Sequence, residues 1–158
     1  MHWPRQLSSV PLQARARRAP DLAPCSLAIG SRCKGKASLD EIRRQLRDAM
    51  WRGTSIVRSE ESLRSALVTV RDCAEAIEHV AVESLLDVAR VEETRLMCLT
   101  AEAIVLSALA RRESRGAHCR EDYPRSNEAW LGVCRVRLAG RGLRAAWEPL
   151  PSGDGAAS

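Results

Sequence analysis

The chain has 158 residues, the size of one domain, and 45% of them are hydrophobic, so a packed core can form. Aromatic residues make up only 3% and phenylalanine is absent, which predicts a core of aliphatic side chains and favours helices. The formal net charge of +5 does not by itself indicate a nucleic-acid interface, because the excess is concentrated at one end of the chain.

Residues 1–37 carry that excess and show no sustained hydrophobic period. The first 36 residues contain seven arginines and lysines against one acidic residue, Asp21. The basic residues are not interleaved with aromatic ones and match no nucleic-acid-binding motif, so nucleic acid is disfavoured as a partner. The prolines of this segment argue against an amphipathic targeting helix. We interpret residues 1–37 as a disordered linker.

The first helix is predicted from about residue 39 to residue 52. Ser38, with Glu41 three residues later, matches the pattern of a capping box. Trp51 closes the helix and is expected to anchor the packing between helices, and Gly53 follows as the stop signal.

A short connector leads to the second helix. Ile56 and Val57 in the connector are expected to point inward. Ser59 is the predicted N-cap, with Ser62 at the third helical position, and apolar residues repeat at spacings of three and four through about residue 79.

The third helix is the longest, from about residue 83 to residue 112. Leu96, Leu99, Ala103, Leu106 and Ala110 are predicted to line one core-facing side. Met97, Ala101, Ile104 and Ala108 widen this stripe, which is therefore expected to be buried between two neighbours. Three helices with short connections predict an all-α protein over residues 38–138, an antiparallel three-helix bundle with a disordered N-terminal segment and an irregular C-terminal tail.

A densely charged segment, residues 110–124, follows the third helix. Gly116 ends the helix, and Pro124 favours an extended backbone at the preceding residue. Residues 130–138 alternate weakly and fit either one strand or a short helix. Residues 139–158 are rich in Gly, Pro, Ala and Ser and are predicted to form a flexible tail.

Six cysteines are present, but no pair has C-x-x-C spacing and no histidine pair completes a zinc pattern. We therefore expect no bound metal, free thiols and a cytoplasmic location. No apolar run is long enough for a transmembrane helix, so no membrane partner is expected.

Two motifs stand out along the chain: Ile56-Val57-Arg58 after the first helix, and Arg112-Glu-Ser-Arg-Gly-Ala-His118 after the third. With their surroundings they resemble the C-terminal helical domain of the succinate dehydrogenase/fumarate reductase flavoprotein family, in particular its L-aspartate oxidase branch. Met50-Trp51 followed by Ile56-Val57-Arg58 is similar to the family's first helix and turn. The long helix from Glu93 to Arg111 fits as well. The most specific match is the run Arg112-Glu-Ser-Arg-Gly-Ala-His118, followed by Arg120-Glu-Asp-Tyr-Pro124.

The resemblance implies a helical domain that packs against a flavin-binding domain. Full-length members bind FAD and carry their catalytic residues in flavin-binding and capping domains, which match nothing in this sequence. It therefore implies no cofactor and no catalytic residue in this chain. The residues that it places toward the flavin domain are Arg58, Glu113, Ser114, Arg115, His118 and Arg120. The alternative is that these charged residues cap the third helix and pair among themselves.

Two other patterns could indicate sites. Residues 140–145 formally match the dinucleotide-binding pattern G-x-G-x-x-A, but the prolines at 149 and 151 interrupt the segment after it, which favours a chance match. His118 and Cys119 are adjacent and would point apart on an extended segment, which disfavours a nucleophile pair.

The sequence thus predicts the C-terminal part of an FAD-dependent L-aspartate oxidase, as a fragment or as a subunit that docks on a separate flavin-binding domain. On its own the chain is expected to be inactive. Two alternatives stay open: a non-enzymatic helical interaction module, and a fragment of a succinate dehydrogenase or fumarate reductase flavoprotein.

Overall fold

The computed structural model describes residues 38–140 and 142–150, so the predicted disorder of residues 1–37 lies outside the described residues. The helices are α1 (Leu39–Gly53), α2 (Glu60–Ile77) and α3 (Leu85–Ala110), with a single 3-10 turn at Glu128–Trp130. The strands are β1 (Val57–Arg58), β2 (Cys119–Arg120), β3 (Gly132–Ala139) and β4 (Gly142–Pro149). The all-α prediction is therefore wrong, because the chain combines helices with two small sheets.

Serine caps begin α2 and α3. The Ser59 hydroxyl accepts the N–H of Ser62 at 3.1 Å and the Ser62 hydroxyl accepts the N–H of Ser59 at 3.0 Å, which confirms the predicted cap. Ser84 and Asp87 form the same reciprocal pair at the start of α3. These bonds satisfy backbone donors that the first turn of a helix leaves unpaired.

The predicted capping box of α1 is wrong. Ser38 does precede the helix with an extended backbone, but its side chain makes no capping hydrogen bond. Glu41 instead accepts a hydrogen bond from Arg44 Nε at 3.0 Å, one turn further along the exposed face. The Glu41 carboxylate forms an ion pair with Arg44 within the helix and does not bond to the backbone N–H of Ser38, as a capping box would require.

Gly53 lets α1 and α2 approach closely. It is buried, and a Cβ atom at this position would collide with the Cβ of Ala66 and lie 2.9 Å from the carbonyl oxygen of Ser62. Gly53 therefore ends α1 as expected, but its role is also to leave space for the backbone of α2.

The helices pack around α2, which lies along both α1 and α3, whereas α1 and α3 touch each other much less. The buried residues of this core are small and aliphatic, as the composition predicted. They are Ile42, Leu46, Leu63, Ala66, Val70, Cys73, Ile77, Val91, Cys98, Ala101, Val105 and Ala108.

The predicted core face of α3 is right for Ala101 and Ala108, which are buried, and wrong for Leu96, Leu99 and Ile104. Leu96 and Leu99 are exposed, and the buried positions are Val91, Thr94, Cys98, Ala101, Val105 and Ala108. Helix α3 is apolar on several sides, so spacing alone could not decide which side faces α2. Thr94 tolerates burial because its hydroxyl donates to the carbonyl of Arg90 at 2.7 Å.

Strands β3 and β4 form an antiparallel hairpin that packs against α3, where the sequence predicted an irregular tail. The last part of that predicted tail, residues 151–158, lies outside the described residues. Strand β3 extends across the boundary predicted between residues 138 and 139. The division of the chain into domains stays a prediction. Gly140 takes a positive φ of 63° in the turn, a conformation that favours glycine. The glycine pattern at residues 140–145 therefore joins two strands, whereas a dinucleotide site joins a strand to a helix.

Candidate functional site

The charged segment after α3 folds into a compact loop with one carboxylate, that of Glu113, held inside. Glu113 has 0% exposure and accepts hydrogen bonds from Arg111, from Arg115 at 3.2 Å and from the backbone N–H of Asn127 at 2.9 Å. Burial acts to raise the pKa of Glu113, but the hydrogen bonds and nearby guanidiniums prevail and lower it. Glu113 is thus an ionised internal anchor of this loop.

Arg120 is the second internal anchor, with 1% exposure. It donates to Asp122 at 2.7 Å and to the carbonyl of Ala108, near the end of α3, at 3.0 Å. Asp122 in turn accepts the N–H of Glu60 at the start of α2 at 3.1 Å. The hydrogen bond from Arg120 lowers the pKa of Asp122 to about 2, so this pair stays ionised while it connects the ends of two helices.

Arg111 and Ser114 attach the loop to its surroundings. The guanidinium of Arg111 donates to the carbonyl of Gly132 at 3.1 Å and stacks over Trp147 with its central carbon 4.7 Å from the ring centroid. Ser114 Oγ accepts the N–H of Arg120 at 2.8 Å and donates to Tyr123 O at 2.8 Å. The hairpin and the loop are therefore one connected unit.

His118 connects the loop to strand β1. Its Nδ1 accepts a hydrogen bond from Arg58 at 2.9 Å, and its Nε2 donates to the carbonyl of Arg111 at 3.2 Å. Burial lowers the pKa of His118. The hydrogen bond to the carbonyl of Arg111 acts to raise it, but the charges of Arg58, Arg120 and Arg111 add to the effect of burial, and the pKa is lowered. His118 is therefore neutral, with its proton on Nε2.

The folded state should lose stability as the pH falls below about 6.5, the ordinary pKa of histidine, because the unfolded chain then takes up a proton more readily. The stability that His118 contributes is fully present above a pH of about 6.5. It is lost progressively as the pH falls from there to the lower pKa that His118 has in the folded state. Melting temperatures measured across this range in the parent chain and in His118→Gln check the prediction.

The amide of that variant can replace both hydrogen bonds without taking up a proton, so its melting temperature should depend less on pH. His79→Gln is the control, because His79 is exposed and lies just after α2. An identical pH dependence in the parent chain and His118→Gln would contradict the assignment.

The structure brings all six predicted docking residues to this loop and the adjoining strand. Glu113 and Arg120 are fully buried, so their side chains can support a docking surface only by holding the loop in shape. Arg58, Arg115 and His118 are half-buried and border the surface. Docking by these residues stays a prediction, and the internal pairing that was the alternative is present in the structure.

An open apolar trough of about 1170 Å³ lies beside the loop, between α1 and α3. Its exposed lining includes Trp51, Ile56, Leu96 and Ile104, with exposures of 78%, 68%, 64% and 47%. The prediction that Trp51 packs inside is wrong, as is the inward placement of Ile56 and of the likewise exposed Val57. Sequence reasoning missed the trough, because it assigned these apolar residues to the core.

A family model described as fumarate reductase flavoprotein C-term matches residues 43–151, most of the described chain and all of the loop and trough. The chain belongs to this family. The resemblance found in the sequence is therefore confirmed at the level of the family, whose members are FAD-dependent flavoprotein oxidoreductases.

Individual relatives are similar over part of their length. The chain is 37% identical over 99 residues to an uncharacterized FAD-dependent oxidoreductase of Methanocaldococcus jannaschii, covering 63% of this chain and 18% of that protein. It is 40% identical over 84 residues to an L-aspartate oxidase of Pyrococcus furiosus, covering 53% of this chain and 14% of the relative. The solved structure of a quinol-fumarate reductase with menaquinol molecules superposes with a TM-score of 0.68 at 25% identity, over 74% of this chain and 22% of that chain.

Helices α2 and α3 and the glycine pattern at residues 140–145 do not fit the FAD that the family binds. Flavin pyrophosphate is commonly held at the N-terminus of a helix after a glycine-rich turn. The N-termini of α2 and α3 are occupied by their own capping side chains, and the glycine pattern at residues 140–145 lies in a hairpin.

Residues 38–140 and 142–150 contain neither a metal site nor a membrane-spanning helix. Within that range no three His, Cys, Asp or Glu side chains come together as metal ligands. None of the helices there combines the length and the apolar character that a membrane crossing requires.

Proposed function

We propose that this chain is the docking module of an FAD-dependent oxidoreductase of the L-aspartate oxidase type, and that it packs on a flavin-binding domain or subunit. The trough between α1 and α3 is the observation that supports this proposal. It leaves several large apolar side chains in water at once, a feature typical of protein–protein contact surfaces. In this proposal the chain supplies surface to the enzyme and no catalytic group.

The reaction proposed for the assembled enzyme is the FAD-dependent oxidation of L-aspartate to iminoaspartate, a step toward NAD, in the cytoplasm. Similarity to an L-aspartate oxidase supports this choice, and the alternative within the family is a succinate or fumarate substrate. The flavin-binding partner would hold the residues that contact the substrate.

Two aspartates placed in the trough should abolish binding to the flavin-binding partner. We expect Trp51→Asp combined with Leu96→Asp to lower the affinity at least about a hundredfold, because two apolar contacts become buried charges. The full chain would be co-expressed with the flavin-binding protein of its own organism and the affinity measured by titration calorimetry.

Val68→Asp is the matched control, because Val68 is 59% exposed on α2 and does not line the trough. Equal losses in the control and in the trough variant would contradict docking through the trough. The parent complex should show the visible absorbance of flavin, and the chain purified alone should not.

A second candidate is a non-enzymatic interaction module. The ion pairs inside the loop, Glu113 with Arg111 and Arg120 with Asp122, favour this candidate. A loop that satisfies its own charges needs no second domain to fold. A partner without flavin that competes for the trough would support this candidate against the first.

A further inference from the structure

A second concavity, the basic hollow, lies between α3, the loop and the hairpin. It has a volume of about 410 Å³, and its lining includes Arg58, Thr100, Ser107, Arg111, His118 and Cys134. Within the described part of the chain, no acidic side chain lines it. The hollow shares Arg58, Thr100 and Ile104 with the trough, so the two surfaces are continuous.

Arg58 differs from the arginines of the loop in its partners. Arg111 and Arg115 pair with Glu113, and Arg120 pairs with Asp122. Among the described residues no carboxylate lies within ion-pair distance of Arg58, although it is half-buried. A half-buried guanidinium without a counter-ion is costly, which indicates a ligand that the chain itself does not supply.

The guanidinium of Arg58 is held in place but keeps free donors. Its Nε donates to the carbonyl of Ser55 at 2.6 Å, and its Nη1 donates to His118 at 2.9 Å. An arginine has five N–H donors, so roughly three stay available among the described contacts. Because neutral His118 fixes the orientation of the planar group, a carboxylate could approach it without further ordering.

The local charge favours a ligand with one negative charge. The arginines at positions 111, 115 and 120 are each paired with a carboxylate, so Arg58 is the guanidinium of this group that has no carboxylate partner among the described residues. The apolar trough adjoins the hollow, so the ligand carboxylate should be flanked by apolar groups.

We infer that the basic hollow binds a carboxylate through Arg58, and that this carboxylate is an acidic side chain of the protein surface that covers the trough. The source of the carboxylate rests on the proposed docking function. The binding of a carboxylate to the hollow does not, because it can be measured on the chain alone.

The test is a titration of the full chain followed by NMR of its three histidine side chains, with the ionic strength held constant. The probes are acetate, succinate, inorganic phosphate and the peptide acetyl-Leu-Glu-Leu-amide. We expect a saturable shift of the His118 signal and a rise in its pKa with acetate, and tighter binding of the peptide. A purely structural role of Arg58 would not produce that ligand-dependent rise.

Arg58→Gln should weaken peptide binding about tenfold, because it removes the charge but keeps an N–H donor for His118. Arg112→Gln is the matched control, since Arg112 is exposed and lies outside the hollow. Arg58→Lys keeps the positive charge but lacks the planar pair of N–H donors, so it should weaken peptide binding less than Arg58→Gln does. If Arg58→Gln does not fold, the lysine variant tests the role of Arg58 in its place.

The outcomes separate the parts of the inference. No saturable shift at His118, or equal losses in Arg58→Gln and Arg112→Gln, overturns the carboxylate site. Tighter binding of phosphate than of acetate overturns the choice of a carboxylate, and tighter binding of succinate than of the peptide overturns a protein source. These results leave the trough variants unaffected, so failure here is distinguishable from failure of the docking proposal.

Discussion

Replacing Glu113 by alanine is expected to lower the free energy of unfolding by about 3 kcal/mol, the lower end of the cost of removing one partner from a buried ion pair. The lower end applies because Arg111 and Arg115 retain 20% and 35% side-chain exposure, so water partly solvates them. Alanine leaves these two guanidiniums and the N–H of Asn127 without their acceptor. Urea denaturation near neutral pH measures the difference.

Glu121→Ala is the control for this prediction. Glu121 lies on the same loop and is exposed, so the substitution should change the free energy of unfolding by less than about 0.5 kcal/mol. If the two variants lose equal stability, the loop is not organised around Glu113. The comparison also separates internal pairing from docking, because the loss would occur without any partner.

Replacing Gly53 by alanine is expected to cost about 2 kcal/mol, although alanine is intrinsically the better helix former. The new Cβ would collide with Ala66 and lie 2.9 Å from the carbonyl oxygen of Ser62, so α1 and α2 must move apart. Thermal unfolding followed by circular dichroism measures the loss.

Gly142→Ala provides the matched control, because a Cβ at Gly142 meets nothing within 4 Å. Its melting temperature should stay close to that of the parent chain. A second check is Ala66→Gly in the Gly53→Ala background, which removes one of the colliding atoms and should recover part of the lost stability. A neutral Gly53→Ala would mean that α1 and α2 are not in close contact at this point.

Local signals in the sequence predicted the helices well. Serine at positions 59 and 84 precedes an apolar period, and the hydroxyl competes well for the unpaired donors of the first turn. Only the first of these two serines was recognised as a cap. The hairpin was missed because the small residues of β4 resemble a loop composition, and the strand is defined mainly by pairing with β3.

The orientation of α3 and the state of the loop could not be predicted from spacing. Leu96 and Ala101 are both apolar, and only the position of α2 determines which of them is buried. The residues of the loop were identified through their resemblance to a family. Their pairing depends on distances between Glu113, Asp122 and arginines that neighbour them in sequence, which a list of residue types does not contain.

The short parallel pair of β1 and β2 has a consequence for folding. Cys119 N–H donates to Ile56 O at 3.3 Å, and Glu121 N–H donates to Arg58 O at 2.9 Å. These hydrogen bonds join residues that are separated in the chain by the whole of α2 and α3. Bringing the two ends of so long a segment together has an entropic cost, and the packing of α2 and α3 against each other offsets that cost only after both helices have associated. The surface around Arg58 should therefore form late in folding. The backbone amide hydrogens of Cys119 and Glu121 should exchange with solvent only when the helices separate.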